Sequence, residues 1–232
     1  MGDYTFGTVS SAQTSGSSML TSLTPALPTG TAAGDVLFLF AKGRNTVDPT
    51  WTVPSGWTEM GSRVSGSTGI GGAQYNAMQL WRKTAGASES APTVNLSSGA
   101  GSGFGRGWDT YILRYVPSSP SVEFDLVTAC VDYSAAATFT GETLSVGRTA
   151  TTVAFVAMIG ATGTTPASNT QGFTRQVIST PIPFGSWYDK DTTAGSVSLP
   201  DFATPVYTYI AKVFAFDRTV AGDQWGVDQV RW

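Results

Sequence analysis

Residues 36–43 read VLFLFAKG, and this apolar run closed by a lysine and a glycine decides the expected fold. A run of this kind, launched by the turn pair Gly34-Asp35, is typical of a central β-strand that is buried on both faces. A similar run, VAFVAMIG, occupies residues 153–160. The chain therefore predicts two central strands, one in each half.

Other motifs recur in the same order as these two runs. Gly56-Trp57-Thr58 is matched by Gly172-Phe173-Thr174, and TYILRY at 110–115 is matched by TYIAKV at 208–213. The offset falls from 117 residues (36 to 153) to 98 residues (110 to 208), as expected if the loops of a second copy are shorter. Chance similarity is the alternative, because any all-β protein repeats apolar runs between turns. Either way, apolar sheet faces must be buried against another layer.

The remaining chain alternates with a period of two and carries no helical periodicity over three turns. We predict an all-β protein with little helix, an antiparallel β-sandwich of jelly-roll type with an internal pseudo-repeat. One domain spans 19–216, with halves of about 19–118 and 119–216, between an N-terminal assembly arm (1–18) and a C-terminal assembly tail (217–232). The predicted core consists of Val36, Phe38, Phe40, Leu80, Ile112, Phe155, Ile210 and Phe214.

Composition narrows the possible functions. Only 12% of residues are charged, the net charge is −3 and there is no basic cluster, which disfavours nucleic-acid binding. The chain has no histidine, so the commonest general base and zinc ligand are missing. Cys130 is the single cysteine and reads as an apolar core residue. We therefore predict no catalytic residues, no cofactor and no metal site.

The N-terminal residues do not resemble a secretory signal, because the first apolar run begins only near Val36. No apolar stretch approaches the roughly 18 residues of a membrane-spanning helix. We expect a soluble protein that is made in the cytoplasm and does not insert into membranes.

Two acidic motifs are the places where chemistry could reside. Glu123-Phe124-Asp125 would place two carboxylates on one side of a strand, and it resembles the strand motif of family-sixteen β-sandwich glycosidases. The third acid of that motif is missing here, since Leu126 and Val127 follow, and a solvated strand face is the competing interpretation. Asp189-Lys190-Asp191 is expected in a turn, either solvated or weakly holding calcium.

The tryptophans and the chain ends supply candidate contacts. Trp81 and Trp187 lie at strand positions and are expected in the core, whereas Trp51 and Trp57 lie near loops and could stack on a glycan. The predicted assembly contacts are Tyr4 and Phe6 in the arm and Trp225 and Trp232 in the tail, because protein interfaces favour large aromatic anchors.

Four motifs in succession resemble a known group of proteins. They are Gly34-Asp35 with its apolar strand, residues 54–58 (PSGWT), a strand ending in residues 83–86 (KTAG), and an aromatic strand ending in Tyr115-Val116. This succession resembles β-sandwich domains in virion proteins of tailed bacteriophages and in some bacterial surface proteins, over roughly residues 30 to 216.

The resemblance implies a jelly-roll-type module of a minor tail protein, a fibre or a head decoration protein. The expected function is that of a non-enzymatic, surface-exposed virion component, located in the virion, that forms homo-oligomers and contacts other virion proteins through its termini. The alternative is a module that binds a host-surface glycan through Trp51 and Trp57.

Overall fold

The computed structural model describes residues 4–13, 20–68, 74–98, 107–119, 123–135, 138–139, 143–146, 151–159, 171–179, 184–192, 195–199, 202–203 and 209–219. Within these ranges the chain forms β-strands joined by turns, and no helix occurs. The predicted all-β class is confirmed.

In chain order the strands are β1 (Tyr4–Gln13), β2 (Ser22–Leu23), β3 (Val36–Asn45), β4 (Thr50–Thr52), β5 (Thr58–Glu59), β6 (Val64–Thr68), β7 (Gln74–Thr84), β8 (Val94–Ser98), β9 (Gly107–Pro117), β10 (Glu123–Ala135), β11 (Thr138–Phe139), β12 (Thr143–Ser145), β13 (Thr151–Ile159), β14 (Thr174–Ser179), β15 (Phe184–Thr192), β16 (Ser196–Ser198), β17 (Phe202–Ala203) and β18 (Tyr209–Thr219).

Two antiparallel sheets form the sandwich. The first sheet has the order β1-β9-β3-β7-β5, with β6 also paired to β7, and the second has the order β10-β18-β13-β15-β14. Strand β3 is central because Val36 pairs with Tyr115 of β9 on one side and with Thr84 of β7 on the other. Both faces of β3 are also buried, one in each of two apolar clusters, and this explains its continuous apolar run.

The second sheet repeats the strand order of the first, so that β1, β9, β3, β7 and β5 correspond to β10, β18, β13, β15 and β14. In each half a glycine lies against the side chain of a lysine: Gly56 against Lys83, and Gly172 against Lys190. These glycines have φ angles of 78° and 80°, a left-handed conformation that glycine adopts without steric cost. The two matched turn motifs of the sequence are therefore equivalent in backbone conformation and surroundings.

The two lysines also define the register of the repeat. Lys83 pairs with Leu37, and Lys190 pairs with Val153. Positions 37 and 153 therefore correspond at an offset of 116 residues, the same offset that separates the two glycines. The predicted offset of 117 residues for the central strands is wrong by one. A slip of one residue matters because it exchanges the two faces of a strand.

Two buried clusters lie on opposite faces of the first sheet. On one face Leu37, Leu39 and Trp81 pack with residues of a small sheet of order β2-β8-β4, among them Val94 and Leu96. On the other face the aromatic core of the first sheet meets residues of the second sheet. The first sheet is thus the middle layer of three.

The core between the two large sheets is centred on Phe38. Its ring lies 5.5 Å from the ring of Trp187, 5.3 Å from that of Phe214 and 5.2 Å from that of Phe216, all three in the second sheet. Six predicted core residues are confirmed as buried: Val36, Phe38, Phe40, Leu80, Ile112 and Phe214. The side chains of the other two, Phe155 and Ile210, lie outside the described residues, as does that of Cys130.

The strand pairing bears on two finer predictions, the N-terminal arm and the division of the chain into halves. The predicted arm contains β1, which pairs with β9 of the same chain, so its removal would take an edge strand from the first sheet. The division near residue 118 separates the two sheets: every strand of the first lies within 4–117, and every strand of the second lies within 123–219. The jelly-roll type and the domain boundaries stay predictions.

Candidate functional site

A groove of about 860 Å³ opens between the two large sheets, at the end where β1 begins and β9 ends. Tyr4 and Phe6 of β1 and Tyr115 of β9 form the wall that belongs to the first sheet. The second sheet contributes a polar wall, whose side chains are Thr152 of β13, Thr174 and Gln176 of β14, and Asp189, Lys190 and Asp191 of β15. The groove therefore has one largely aromatic side and one polar side.

A chain of hydrogen bonds crosses the floor of the groove. The indole Nε1 of Trp187 donates to the hydroxyl of Tyr115 over 2.8 Å, and that hydroxyl donates to Oδ2 of Asp189 over 2.6 Å. Nε2 of Gln176 donates to Oδ1 of Asp189 over 2.7 Å. Each carboxylate oxygen of Asp189 thus accepts a hydrogen bond from a side chain.

Burial shifts the pKa of both groups in the short Tyr115–Asp189 contact. Desolvation raises the pKa of Asp189 above its ordinary value, although the hydrogen bonds from Tyr115 and Gln176 oppose that rise. Burial, together with the nearby charge of Asp189, raises the pKa of Tyr115 well above its usual range. The phenol of Tyr115 therefore stays protonated and serves as the donor to Asp189.

The rim of the groove is acidic. Asp191 is exposed and accepts a hydrogen bond from Oγ1 of Thr152 over 2.9 Å. The ammonium of Lys190 donates to the carbonyl oxygen of Gln171 over 2.8 Å and lies 5.8 Å from the ring centre of Phe173. Lys190 also lines the groove, between Asp189 and Asp191, so the groove has two carboxylates and one ammonium, which donates to the turn before β14.

The location predicted for the second acidic motif is wrong. Asp189, Lys190 and Asp191 lie within β15, where they pair with Ala154, Val153 and Thr152 of β13, and not in a turn. In the described part of the chain, no three His, Cys, Asp or Glu side chains gather closely enough to hold a metal ion. The described ranges also contain no helix with the length and hydropathy of a membrane span.

The other acidic motif, Glu123-Phe124-Asp125, lies in β10 as the alternation predicts. The ring of Phe124 is half-buried and stacks on Phe216 at 5.7 Å between ring centres. The carboxylates of Glu123 and Asp125 lie outside the described side chains, so their role stays open.

A second polar group is buried in the sandwich away from the groove. Nζ of Lys42 lies 2.9 Å from Oδ2 of Asp109, and the hydroxyl of Tyr111 donates to the same oxygen over 2.7 Å. Burial lowers the pKa of Lys42, while the charge of Asp109 and the hydrogen bond to it act in the opposite direction. The sequence did not predict this ion pair, since Lys42 stood out only as a polar residue that interrupts an apolar run.

The predicted glycan contacts are not open stacking surfaces. Trp51 is 9% exposed and Trp57 is 7% exposed, and both belong to the cluster beneath the small sheet. The ring of Trp51 packs against that of Trp108 at 6.3 Å. Both side chains are therefore largely buried, which corrects the open loop positions expected from sequence, and a glycan contact at Trp51 and Trp57 stays a prediction. Trp81 and Trp187, predicted as core residues, are confirmed as buried.

The structure also locates two of the four predicted assembly contacts, Tyr4 and Phe6. Tyr4 is 3% exposed, and its ring lies 5.7 Å from that of Phe216, so its side chain belongs to the core of its own chain. Phe6 is half-buried, with its ring 5.6 Å from that of Tyr115. Trp225 and Trp232 lie outside the described residues. A role of β1 in assembly stays a prediction, but Tyr4 has almost no surface left for another molecule.

The groove itself was not predicted from the sequence. Tyr115 and Asp189 are 74 positions apart, and no local pattern connects them. A usable signal was the acidic pair at alternate positions 189 and 191, which alternation on a strand would have placed on one face. Comparison with known proteins adds nothing to these observations, because no family model, curated protein or solved structure matches the chain.

Proposed function

We propose that this chain is a non-enzymatic structural protein of a virion, a surface-exposed minor tail or capsid decoration component that assembles through its termini. The main support for the proposal is the position of the two ends of the described chain. The virion setting itself comes from the sequence resemblance to β-sandwich domains of tailed-phage proteins.

Both ends lie at the same end of the sandwich. Tyr4 begins β1 beside Pro117, and Thr219 ends β18 beside Glu123. Tyr4 also packs against Phe216, three residues before the end of β18. Residues 1–3 and 220–232 are therefore attached to neighbouring points of the same surface, from which they can reach one partner together.

The ion pairs of the described residues connect strands and turns within the chain. Each joins two parts of the same chain: Lys42 with Asp109, Arg63 with Asp48, Lys83 with Glu89 and Arg114 with Asp35. Arg114, for example, ties β9 to the residue that precedes β3 through a contact of 2.6 Å from Nε to Oδ2. These charges hold strands and turns in place.

The proposal is tested with two variants of the full chain, one ending at residue 219 and one carrying Trp225→Ala with Trp232→Ala. We expect both to keep the far-UV circular dichroism and melting temperature of the parent while losing self-association in sedimentation velocity. They should also be lost from purified particles, as measured by mass spectrometry. The control Trp51→Phe alters a buried tryptophan and should assemble normally. Variants that assemble like the parent, or particles that lack the parent chain, would contradict the proposal.

A further inference from the structure

We propose that the groove between the two large sheets binds a neutral oligosaccharide, with Asp189, Asp191, Gln176 and Thr174 as the polar contacts and Phe6 on the opposite wall. This binding goes beyond the structural role and does not depend on it, since it can be measured on the isolated chain.

The size and construction of the groove suit a small polar ligand. Its volume of about 860 Å³ lies within the range of roughly 300–1,000 Å³ that is common for small-molecule sites. Its two walls come from different sheets, and the short bond from Tyr115 to Asp189 links them. Because both residues are buried and held by further hydrogen bonds, the floor of the groove is already ordered without a ligand.

The available polar groups match sugar hydroxyls, which both donate and accept hydrogen bonds. Asp189 and Asp191 supply acceptors. Among the described residues, the side chain of Gln176 donates one N–H to Asp189, and its carbonyl oxygen and second N–H are groups that a sugar hydroxyl can bind. Thr174 pairs across the sheet with Asp189 and is exposed, so its hydroxyl can both donate and accept.

The aromatic wall complements the polar one. Phe6 is half-buried and packs edge-on against Tyr115, with an angle of 78° between the rings. A sugar ring presents apolar C–H groups on its faces and hydroxyls at its rim, so an aromatic surface facing a polar strand can bind both at once. Carboxylates and an amide facing an aromatic ring therefore favour a carbohydrate over a wholly apolar molecule.

Charge and ligand number argue against ions. An anion would meet two carboxylates, those of Asp189 and Asp191, against the single ammonium of Lys190, which donates to Gln171 and lies 5.8 Å from the ring centre of Phe173. Calcium takes about six to eight oxygen ligands, and the described residues provide no cluster of three acidic side chains. A cationic side chain from another protein needs only acceptors, and it would leave the donors of Gln176 and Thr174 unused.

The inference is tested by applying the labelled chain to a glycan array and then titrating the best neutral oligosaccharide by calorimetry. We expect saturable binding. Thr174→Val and Asp191→Asn each change an exposed side chain and should preserve the fold, and together they should weaken binding at least about tenfold. Asp48→Asn, a carboxylate change at the Arg63 ion pair far from the groove, is the matched control and should bind like the parent.

Three results would overturn the inference. The first is an array without any neutral glycan above background. The second is glycan binding that the Thr174→Val/Asp191→Asn variant leaves unchanged, which would place the sugar elsewhere. The third is displacement of the sugar by tri-arginine or by a peptide of residues 220–232 at lower concentration than by the sugar itself, which would make the groove a protein-docking site.

Discussion

Replacing Phe38 with alanine should remove the centre of the core between the sheets. The side chain is fully buried, and five aromatic rings lie with their centres 5.2 to 6.0 Å from its own, those of Tyr115, Phe124, Trp187, Phe214 and Phe216. Buried Phe→Ala substitutions cost about 3–5 kcal/mol through lost transfer energy and the cavity that remains. Ring pairs add about 0.5–1.5 kcal/mol each beyond buried area, without strict additivity. We therefore expect a loss of about 4–5 kcal/mol.

The assay is urea unfolding, followed by tryptophan fluorescence and by far-UV circular dichroism. The midpoint should fall while the dependence on urea stays unchanged, because the surface exposed on unfolding is nearly the same. Phe6→Ala is the matched control: this ring is half-buried, and its truncation should cost only about 1–2 kcal/mol. A loss below about 1 kcal/mol for Phe38→Ala, or equal losses at both positions, would refute the reasoning that Phe38 is the centre of the core.

Two further predictions concern buried charges. Asp109→Ala should lower the free energy of unfolding in urea by about 3–5 kcal/mol, because it leaves Lys42 buried without its counter-charge. Adding Lys42→Met should recover much of that loss. If it does not, the buried charge of Lys42 is not the cause. Because burial raises the pKa of Asp189 from 3.8, its contribution to stability is present at lower pH and is lost as pH rises through the raised value. Asp189→Asn should flatten that decline as the pH rises above 3.8, and an unchanged slope would contradict the assignment.

The strand class and much of the core follow from local properties of the chain. Residues 36–41 are all apolar because both faces of β3 are covered by another layer, and the sequence shows this as a run in which apolar and polar residues do not alternate. The repeated Gly-aromatic-Thr motif was readable for a similar reason, since a left-handed turn selects glycine at one position. The repeat was found, but its register was one residue out for the central strands and three residues out for β9 and β18, where Arg114 corresponds to Ala215, because similar apolar residues at neighbouring positions do not reveal which face they occupy.

The burial of the loop tryptophans could not be predicted from their neighbours. Trp51 and Trp57 lie near turn residues, and solvent exposure was the natural expectation. Trp51 lies in β4 of the small sheet, and it packs in one buried cluster with Trp57 and with residues of β2 and β8, which are distant in sequence. The solvent exposure of an aromatic side chain near a loop depends on packing against segments that are far apart in the chain.

By itself, the sequence determined the all-β class, two matched halves, the apolar centre of the sandwich and the lack of histidine chemistry. These are properties of composition and of spacing along one strand. Only the tertiary structure decided that Tyr115 meets Asp189, that Lys42 meets Asp109 and that a groove opens between the sheets. The physical reason is that these contacts join strands distant in sequence, and they depend on strand order and register, which local side-chain preferences leave open.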